Sequence, residues 1–302
     1  MKDVLTMKRW MRQLHVEDLN VYKSMPTGIE DDYIARFYER ISSQNNKLFG
    51  LFEGDDLIAT AGYTLFAGQY AMLGRLRTSQ YVRGKNVGTD VLIRVLELAK
   101  KDPSVKWIGA NTEEYNGPAM RVLEKINAYP ILPQHAAIAS DVTGLGESGT
   151  VWNEIFDLEE KKAWLNATYV HSQKPFPLQC YYPFPATPEL FDDELLNEWR
   201  FFENSDASRY MILKKDMKKY HYQQVIYPWD DYFEQPGLWE TVRQGQVLHQ
   251  EEVSDVVYVW LDLPKDHAHK LPQDHPFNTS QIWVLHEAVN KLQPAKVHSK
   301  SS

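Results

Sequence analysis

A chain of 302 residues, 43% hydrophobic and 25% charged, is globular in composition and long enough for one large domain or two ordinary ones. No apolar run approaches the ~20 residues of a membrane helix, MKDVLTMKRWMRQL lacks the apolar core of a signal peptide, and Cys180, the only cysteine, excludes an intrachain disulfide; the expectation is a cytoplasmic protein. Residues 1–150 hold equal numbers of basic and acidic side chains, so the formal net charge of −8 falls on residues 151–302, which argues against a nucleic-acid partner and marks the halves as different units.

In chain order, Trp10 to Leu14 reads as a short strand. His15-Val16-Glu17-Asp18-Leu19 then opens a helix with carboxylates in its first turn, where the macrodipole favours them. The spacing of Tyr33, Ile34, Phe37, Tyr38 and Ile41 predicts a helix over Asp31 to Ser42. LFGLFE and LIATAGYTLF, joined by Gly54-Asp55-Asp56, form a hairpin, because glycine and aspartate tolerate the backbone angles of a tight turn. A third strand, YAMLGRLRT, follows Gly68. Val91, Leu92, Val95, Leu98 and Ala99 make the apolar stripe of a helix ending in Lys100-Lys101, and Asp102-Pro103-Ser104 breaks it. VKWIGA is a short buried strand, Asn116-Gly117-Pro118 starts the helix AMRVLEKI, and two strands near AYPIL and AAIASDV close the unit. The layout is α+β around a mixed, mostly antiparallel sheet flanked by helices.

Between the third strand and the striped helix lies Arg83-Gly84-Lys85-Asn86-Val87-Gly88-Thr89. Amides in the first turn of a helix have no intrahelical partner, the dipole adds positive charge, and small residues let an anion approach the backbone. Arg83 and Lys85 add full charges. A solvated surface loop is the plain alternative. No GxxxxGK[ST] or GxGxxG pattern is present, so neither nucleotide fingerprint applies.

LRTSQYVRGKNVGTDVL resembles the acetyl-CoA-binding segment of the GCN5-related N-acetyltransferases (GNAT), in which a strand leads into an Arg/Gln-x-x-Gly-x-Gly/Ala turn and a helix. Arg83, Val87, Gly88 and Thr89 match, and Asn86 stands where the first glycine is usual. NGPAMRVLEKINAY resembles the second signature of that family: Asn116, Ala119, Glu124 and Lys125 match, Leu123 replaces the usual tyrosine, and Asn127-Ala128 replace Gly-Phe. The resemblance covers roughly residues 8–142 and implies a GNAT-type fold. It implies that the coenzyme pyrophosphate rests on the amides of Arg83 to Thr89, that the pantetheine arm pairs with the backbone of Leu76, Arg77 and Thr78, and that Asn116 bonds the pantetheine side. It further implies direct attack of an amine on the thioester in a ternary complex, with no metal. Glu113 is the candidate base and Tyr115 the candidate acid; Glu114, His135 and Tyr129 are further candidates, since Leu123 cannot donate a proton.

In the second half, Pro175 to Pro188 reads as linker or irregular wrap, DELLNEWRFFE as helix, SRYMILKKD, YHYQQVIYP and DVVYVWLDLP as strands, and SQIWVLHEAVNKL as an amphipathic helix. These elements suit a second α+β domain that is a degenerate copy of the first. His267, His269 and His275 lie in a loop-like stretch without rigid metal-ligand spacing. The expected organisation is an acetyl-CoA-binding domain over 1–145, a linker or wrap over 146–190, an α+β domain over 191–295 and a flexible tail over 296–302. The full layout also resembles two-domain histidine N-acetyltransferases, which implies a small amine or amino acid as acceptor. A peptide acceptor and a non-catalytic acyl-CoA-binding role remain the alternatives.

Overall fold

A computed structural model describes residues 8–292 of the chain; the expected tail, 296–302, lies outside the described residues. In chain order the elements are β1 (Arg9–Leu14), α1 (Leu19–Ser24), α2 (Tyr33–Arg36), α3 (Tyr38–Ile41), β2 (Asn46–Glu53), β3 (Asp56–Phe66), β4 (Tyr70–Thr78), α4 (Val87–Lys101), β5 (Trp107–Glu113), α5 (Gly117–Lys125) and β6 (Tyr129–Ala139). They continue with β7 (Asn153–Ile155), α6 (Leu158–Leu165), β8 (Pro175–Gln179), β9 (Tyr182–Pro185), α7 (Asp193–Glu198), β10 (Arg200–Glu203), β11 (Tyr210–Met217), β12 (His221–Ile226), α8 (Leu238–Glu252), β13 (Val257–Pro264) and β14 (Ile282–Asn290). Among the described residues no helix is long and apolar enough to cross a membrane.

The chain divides into two compact units. The first holds the residues up to Thr112 with Asn116–Ile131 and Leu285–Leu292; the second holds Glu113–Tyr115 and Leu132–Val284. The sequence reading ends the first domain at 145 and runs the last over 191–295, whereas Leu285–Leu292 folds with the first unit.

In the first unit β1, β2, β3 and β4 pair antiparallel in order, and β5 lies parallel to β4. α4 makes the crossover that a parallel pair requires. Its stripe of Val87, Val91, Leu92, Val95, Leu96 and Ala99 is buried with Leu51, Ala59, Ala61, Ala71 and Ile108 of the sheet. The opposite face carries Leu14, Leu48, Phe52 and Leu57, covered by Tyr22, Met25, Ile34, Tyr38 and Ile41. The helix expected over Asp31 to Ser42 is broken into α2 and α3 at Phe37, whose φ of −112° leaves the helical region.

The second unit repeats that connectivity. β7, β10, β11 and β12 pair antiparallel, α8 crosses over, and β13 lies parallel to β12, with β6 antiparallel on its far side. α8 buries Leu238, Trp239, Val242 and Gly245 on one face; the sequence reading did not identify it. Pro175 to Pro188, read as linker or wrap, forms the antiparallel hairpin β8–β9.

SQIWVLHEAVNKL is a strand, β14, and not the expected helix. Its apolar residues fit both periods, and its pairing partner is too distant in sequence for a local pattern to register. The Trp107 indole donates to Glu287 Oε2 at 2.8 Å across 180 positions, and Lys291 N donates to the Lys106 carbonyl at 2.7 Å. A Cβ on Gly109 would lie 2.3 Å from the His286 carbonyl oxygen and 2.1 Å from the Trp107 ring, so only glycine lets these backbones approach. Gly109→Ala is therefore expected to lower stability by about 1–3 kcal/mol, measured by urea unfolding, with exchange protection lost first over residues 285–290.

Candidate active site

The pairing of β4 with β5 runs from Tyr70↔Trp107 to Leu73↔Ala110 and stops. β4 continues to Thr78 on the β3 side, where Ala59 faces Thr78 and Thr60 faces Arg77. The edge of β4 beyond Leu73 that once faced β5 is therefore released. Arg75, at φ +59°, and a register shift against β3 between Thr60 and Gly62 mark a bulge at this point.

A cleft of about 790 Å³ opens where the strands part. β4 contributes Leu73 to Thr78, β5 contributes Ala110, Asn111 and Thr112, the turn contributes Val82, Arg83, Gly84 and Asn86 to Thr89, and α5 contributes Arg121, Val122, Leu123 and Lys125. Asn116, Pro118 and Ala119 complete that wall. Arg83, Arg121 and Lys125 are among the lining residues, and among the described residues no acidic one lines the cleft; Arg75 and Arg77 also border it, but their guanidinium groups bond Asn46 with Thr64, and Asp32, respectively.

At the turn, Asn86 is left-handed, with φ +58° and ψ 15°, a conformation asparagine enters more readily than most residues. Its carbonyl accepts the first intrahelical bond from Asp90 N at 3.0 Å. The amides of Val87, Gly88 and Thr89 precede that bond and have no partner within the helix. Gly88 sits over Thr78: a Cβ there would lie 3.4 Å from Thr78 Cγ2, so the floor is already in contact. Lys125 Nζ reaches from α5 to Asn86 Oδ1 at 2.7 Å and joins the two sides of the cleft.

The predicted residues thus divide. Leu76, Arg77, Thr78, Arg83, Gly84, Asn86, Val87, Gly88, Thr89 and Asn116 line one cleft, whereas Lys85 is exposed and does not. Arg83 donates to the Thr27 carbonyl, which holds part of its guanidinium on the preceding loop. Asn116 caps α5, accepting from Ala119 N at 3.3 Å. Glu113 ends β5, one residue past the lining Thr112, while Tyr115 and Tyr129 are exposed; none of the three lines the cleft. Glu114 pairs with Lys265 at 2.6 Å, and His135 Nδ1 lies 2.7 Å from the Thr279 carbonyl. Sequence reasoning did not assign Arg121 or Lys125 to the site, although Lys125 matches the second signature and the i, i+4 spacing on α5 puts the two on one face. His269 Nδ1 is bound to the Asp266 carbonyl and His275 Nδ1 accepts from Phe277 N; among the described residues no group of three metal-ligating side chains forms.

Behind the β4 wall, Arg77 makes two bonds to Asp32, at 3.1 and 2.9 Å. Tyr22 donates to the same carboxylate at 2.5 Å, and Ile34 N at 3.1 Å. Burial alone would raise the Asp32 pKa, but the bonds from Arg77, Tyr22 and Ile34 outweigh it and hold the group below its ordinary value. A depressed carboxylate adds stability above the unfolded-state pKa and loses it as pH falls through the folded one. Asp32→Asn should destabilise by on the order of 3 kcal/mol at neutral pH. The difference from the parent should shrink as urea unfolding is repeated at pH values below the ordinary aspartate range.

The model of the acetyltransferase (GNAT) family matches residues 11–129, the span that builds the cleft. This region is a GNAT-family domain. Among solved structures, a GCN5-related N-acetyltransferase from Sphaerobacter thermophilus is similar with a TM-score of 0.59 at 12% identity, over 94% of this chain and 97% of that one. A protein from Thermoplasma acidophilum gives 0.55 at 12% identity over 92% and 98%. A GCN5-related N-acetyltransferase from Kribbella flavida gives 0.51 at 14% identity over 94% and 72%. At these identities the likeness concerns the fold, and it extends across both halves of the chain. No curated protein sequence matches the chain significantly.

Proposed function

We propose that the chain is an acetyl-CoA-dependent N-acetyltransferase whose acceptor is a small amine or amino acid. The observation that carries this reading is the cleft at the parting of β4 and β5, floored by the first turn of α4 and bordered by Arg83, Arg121 and Lys125. Its parts suit the coenzyme. The amides of Val87 to Thr89 and the dipole of α4 favour pyrophosphate. The released edge of β4 over Leu76 to Thr78 offers backbone donors and acceptors to an extended, amide-bearing arm, as a sheet edge does to an added strand. Lys125 and Arg121 place positive charge at the α5 wall.

In the proposed reaction the lone pair of a neutral amine forms the new C–N bond at the thioester carbonyl, the C–S bond breaks, and the thiolate takes up a proton. Holding both reactants together supplies much of the acceleration, and a β4 amide near Leu76 to Thr78 polarises the carbonyl. Glu113 and Tyr115, following Thr112 on β5 and in the loop to α5, are the proposed proton carriers. Leu123, buried and lining the cleft, cannot serve.

The test is thiol release from acetyl-CoA by the purified protein, across free amino acids, small amines and peptides. Turnover with a small amine supports the proposal; turnover with peptides alone refutes the acceptor class, and coenzyme binding without turnover favours a binding protein. Gly88→Val, which fills the cleft floor, should weaken coenzyme binding at least roughly tenfold, read by calorimetry. Glu113→Gln should lower kcat while leaving the KM for acetyl-CoA near the parent value.

A further inference from the structure

Glycine in a strand interior is unfavourable, because it packs no side chain and loses more conformational freedom on folding than any other residue. It is kept where a backbone angle or a close approach demands it. Of the chain's fifteen glycines, all but one have either a positive φ or a neighbour within 4 Å of the place a Cβ would take. The exception is Gly74. It lies on β4, one residue past the last pair with β5, and it lines the cleft. Its partner on β3, Gly62, is fixed by packing, since a Cβ there would lie 2.1 Å from the Lys47 carbonyl oxygen. The bulge beside Gly74 takes its positive φ at Arg75. Neither packing nor backbone angle accounts for glycine at position 74, and the volume of a side chain is left open where β4 and β5 part.

The place of that opening along β4 decides what can reach it. The first turn of α4, which favours pyrophosphate, follows the far end of β4, and the released edge runs back from Thr78 through Leu76. An arm laid along this edge with its phosphates at α4 carries its thioester and acyl group toward Gly74. Leu76 and Gly74 are two strand positions apart, at most roughly 7 Å, and acetyl has a single carbon beyond its carbonyl to enter that span. The last pair, Leu73↔Ala110, closes the inner end of the cleft, and both side chains are buried in the core under α4. Side chains alternate along a strand, so with Ala71 and Leu73 in that core position 74 faces the other side of the sheet. Beyond the carbonyl the cleft is blocked toward α4 and open at Gly74.

We propose, on the coenzyme reading of this cleft, that its donors include acyl-CoA thioesters longer than acetyl and that Gly74 is the position that admits the chain. The bonds made and broken are those of acetyl transfer: the amine nitrogen forms the C–N bond at the acyl carbonyl, the C–S bond breaks, the amine loses a proton and the thiolate takes one up. The longer chain adds only apolar contact. Butyryl carries three carbons beyond the carbonyl, the number that a valine side chain would place at position 74, so the two compete for one space.

The experiment is a calorimetric titration of the full-length chain with CoA, acetyl-CoA, propionyl-CoA and butyryl-CoA, which needs no acceptor. Affinity relative to CoA is expected to rise by about two- to fourfold for each methylene from acetyl to butyryl, as burial of a CH₂ group provides. In Gly74→Val the affinity for butyryl-CoA relative to CoA should fall by roughly tenfold or more, and that for acetyl-CoA by less. Gly74→Ala should act in the same direction more weakly, and it decides the matter if the valine variant does not fold. A flat or falling series in the parent chain, or the same butyryl-CoA to CoA ratio in the parent and in a folded Gly74→Val chain, overturns the proposal and leaves the coenzyme reading standing. Failure of CoA itself to bind overturns both.

Discussion

The first unit depends on one constraint: β4 and β5 are parallel neighbours for four residue pairs and then cannot remain so. Parallel pairing brings α4 across the sheet, which places the helix N-terminus at the C-terminal end of β4. The bulge at Arg75 turns the rest of β4 toward β3, and the space left beside it becomes the cleft. Ligands of open α/β sheets gather at such carboxyl ends for the same reason: a helix start, a free strand edge and a gap coincide there. Asp32 fixes the geometry from behind by holding Arg77, so that β4 has a rigid wall on one side and an open edge on the other.

The second unit uses the same order of strands and crossover helix, and its chemistry is reversed. Where the first unit has small, basic residues before α4, the second has Tyr227, Trp229, Tyr232 and Phe233 before α8, packed in its apolar core. The start of α8 is also covered. Gly237 N donates to the Glu147 carbonyl, and a Cβ on Gly237 would lie 1.9 Å from the Thr150 carbonyl oxygen, so no anion reaches those amides. In place of an open turn, the second unit has a plug.

Legibility followed locality. α4 was readable because a single stripe is buried along its whole length, and the turn before it because glycine, asparagine and a helix start are contiguous. α2 and α3 share one apolar face, with Ile34, Tyr38 and Ile41 buried together, and so looked like one helix; the break falls at Phe37, which is exposed, and no glycine or proline marks it in the sequence. β14 was misread for a related cause. Trp107 needs Glu287, and Gly109 needs the His286 backbone, but nothing near residue 285 announces a partner near residue 108. The cleft's nearer wall was foreseen from the turn and β4, whereas Arg121 and Lys125 were not, because a basic residue on an exposed helix face is ordinary until the cleft is seen beside it.

Asn86 shows how a departure from a motif is accommodated. A glycine there would take the left-handed conformation freely and leave the turn loose. Asparagine takes it at some cost but brings an amide, and Lys125 bonds that amide from α5 at 2.7 Å. An exposed bond of this kind contributes little to overall stability. Its consequence is local: the first turn of α4 and the last turn of α5 are tied across the cleft before any ligand arrives, and a cation is held beside the amides of Val87 to Thr89. Glycine at position 86 would remove both the tie and the positioning of the Lys125 charge, so Asn86 and Lys125 are best understood as a pair.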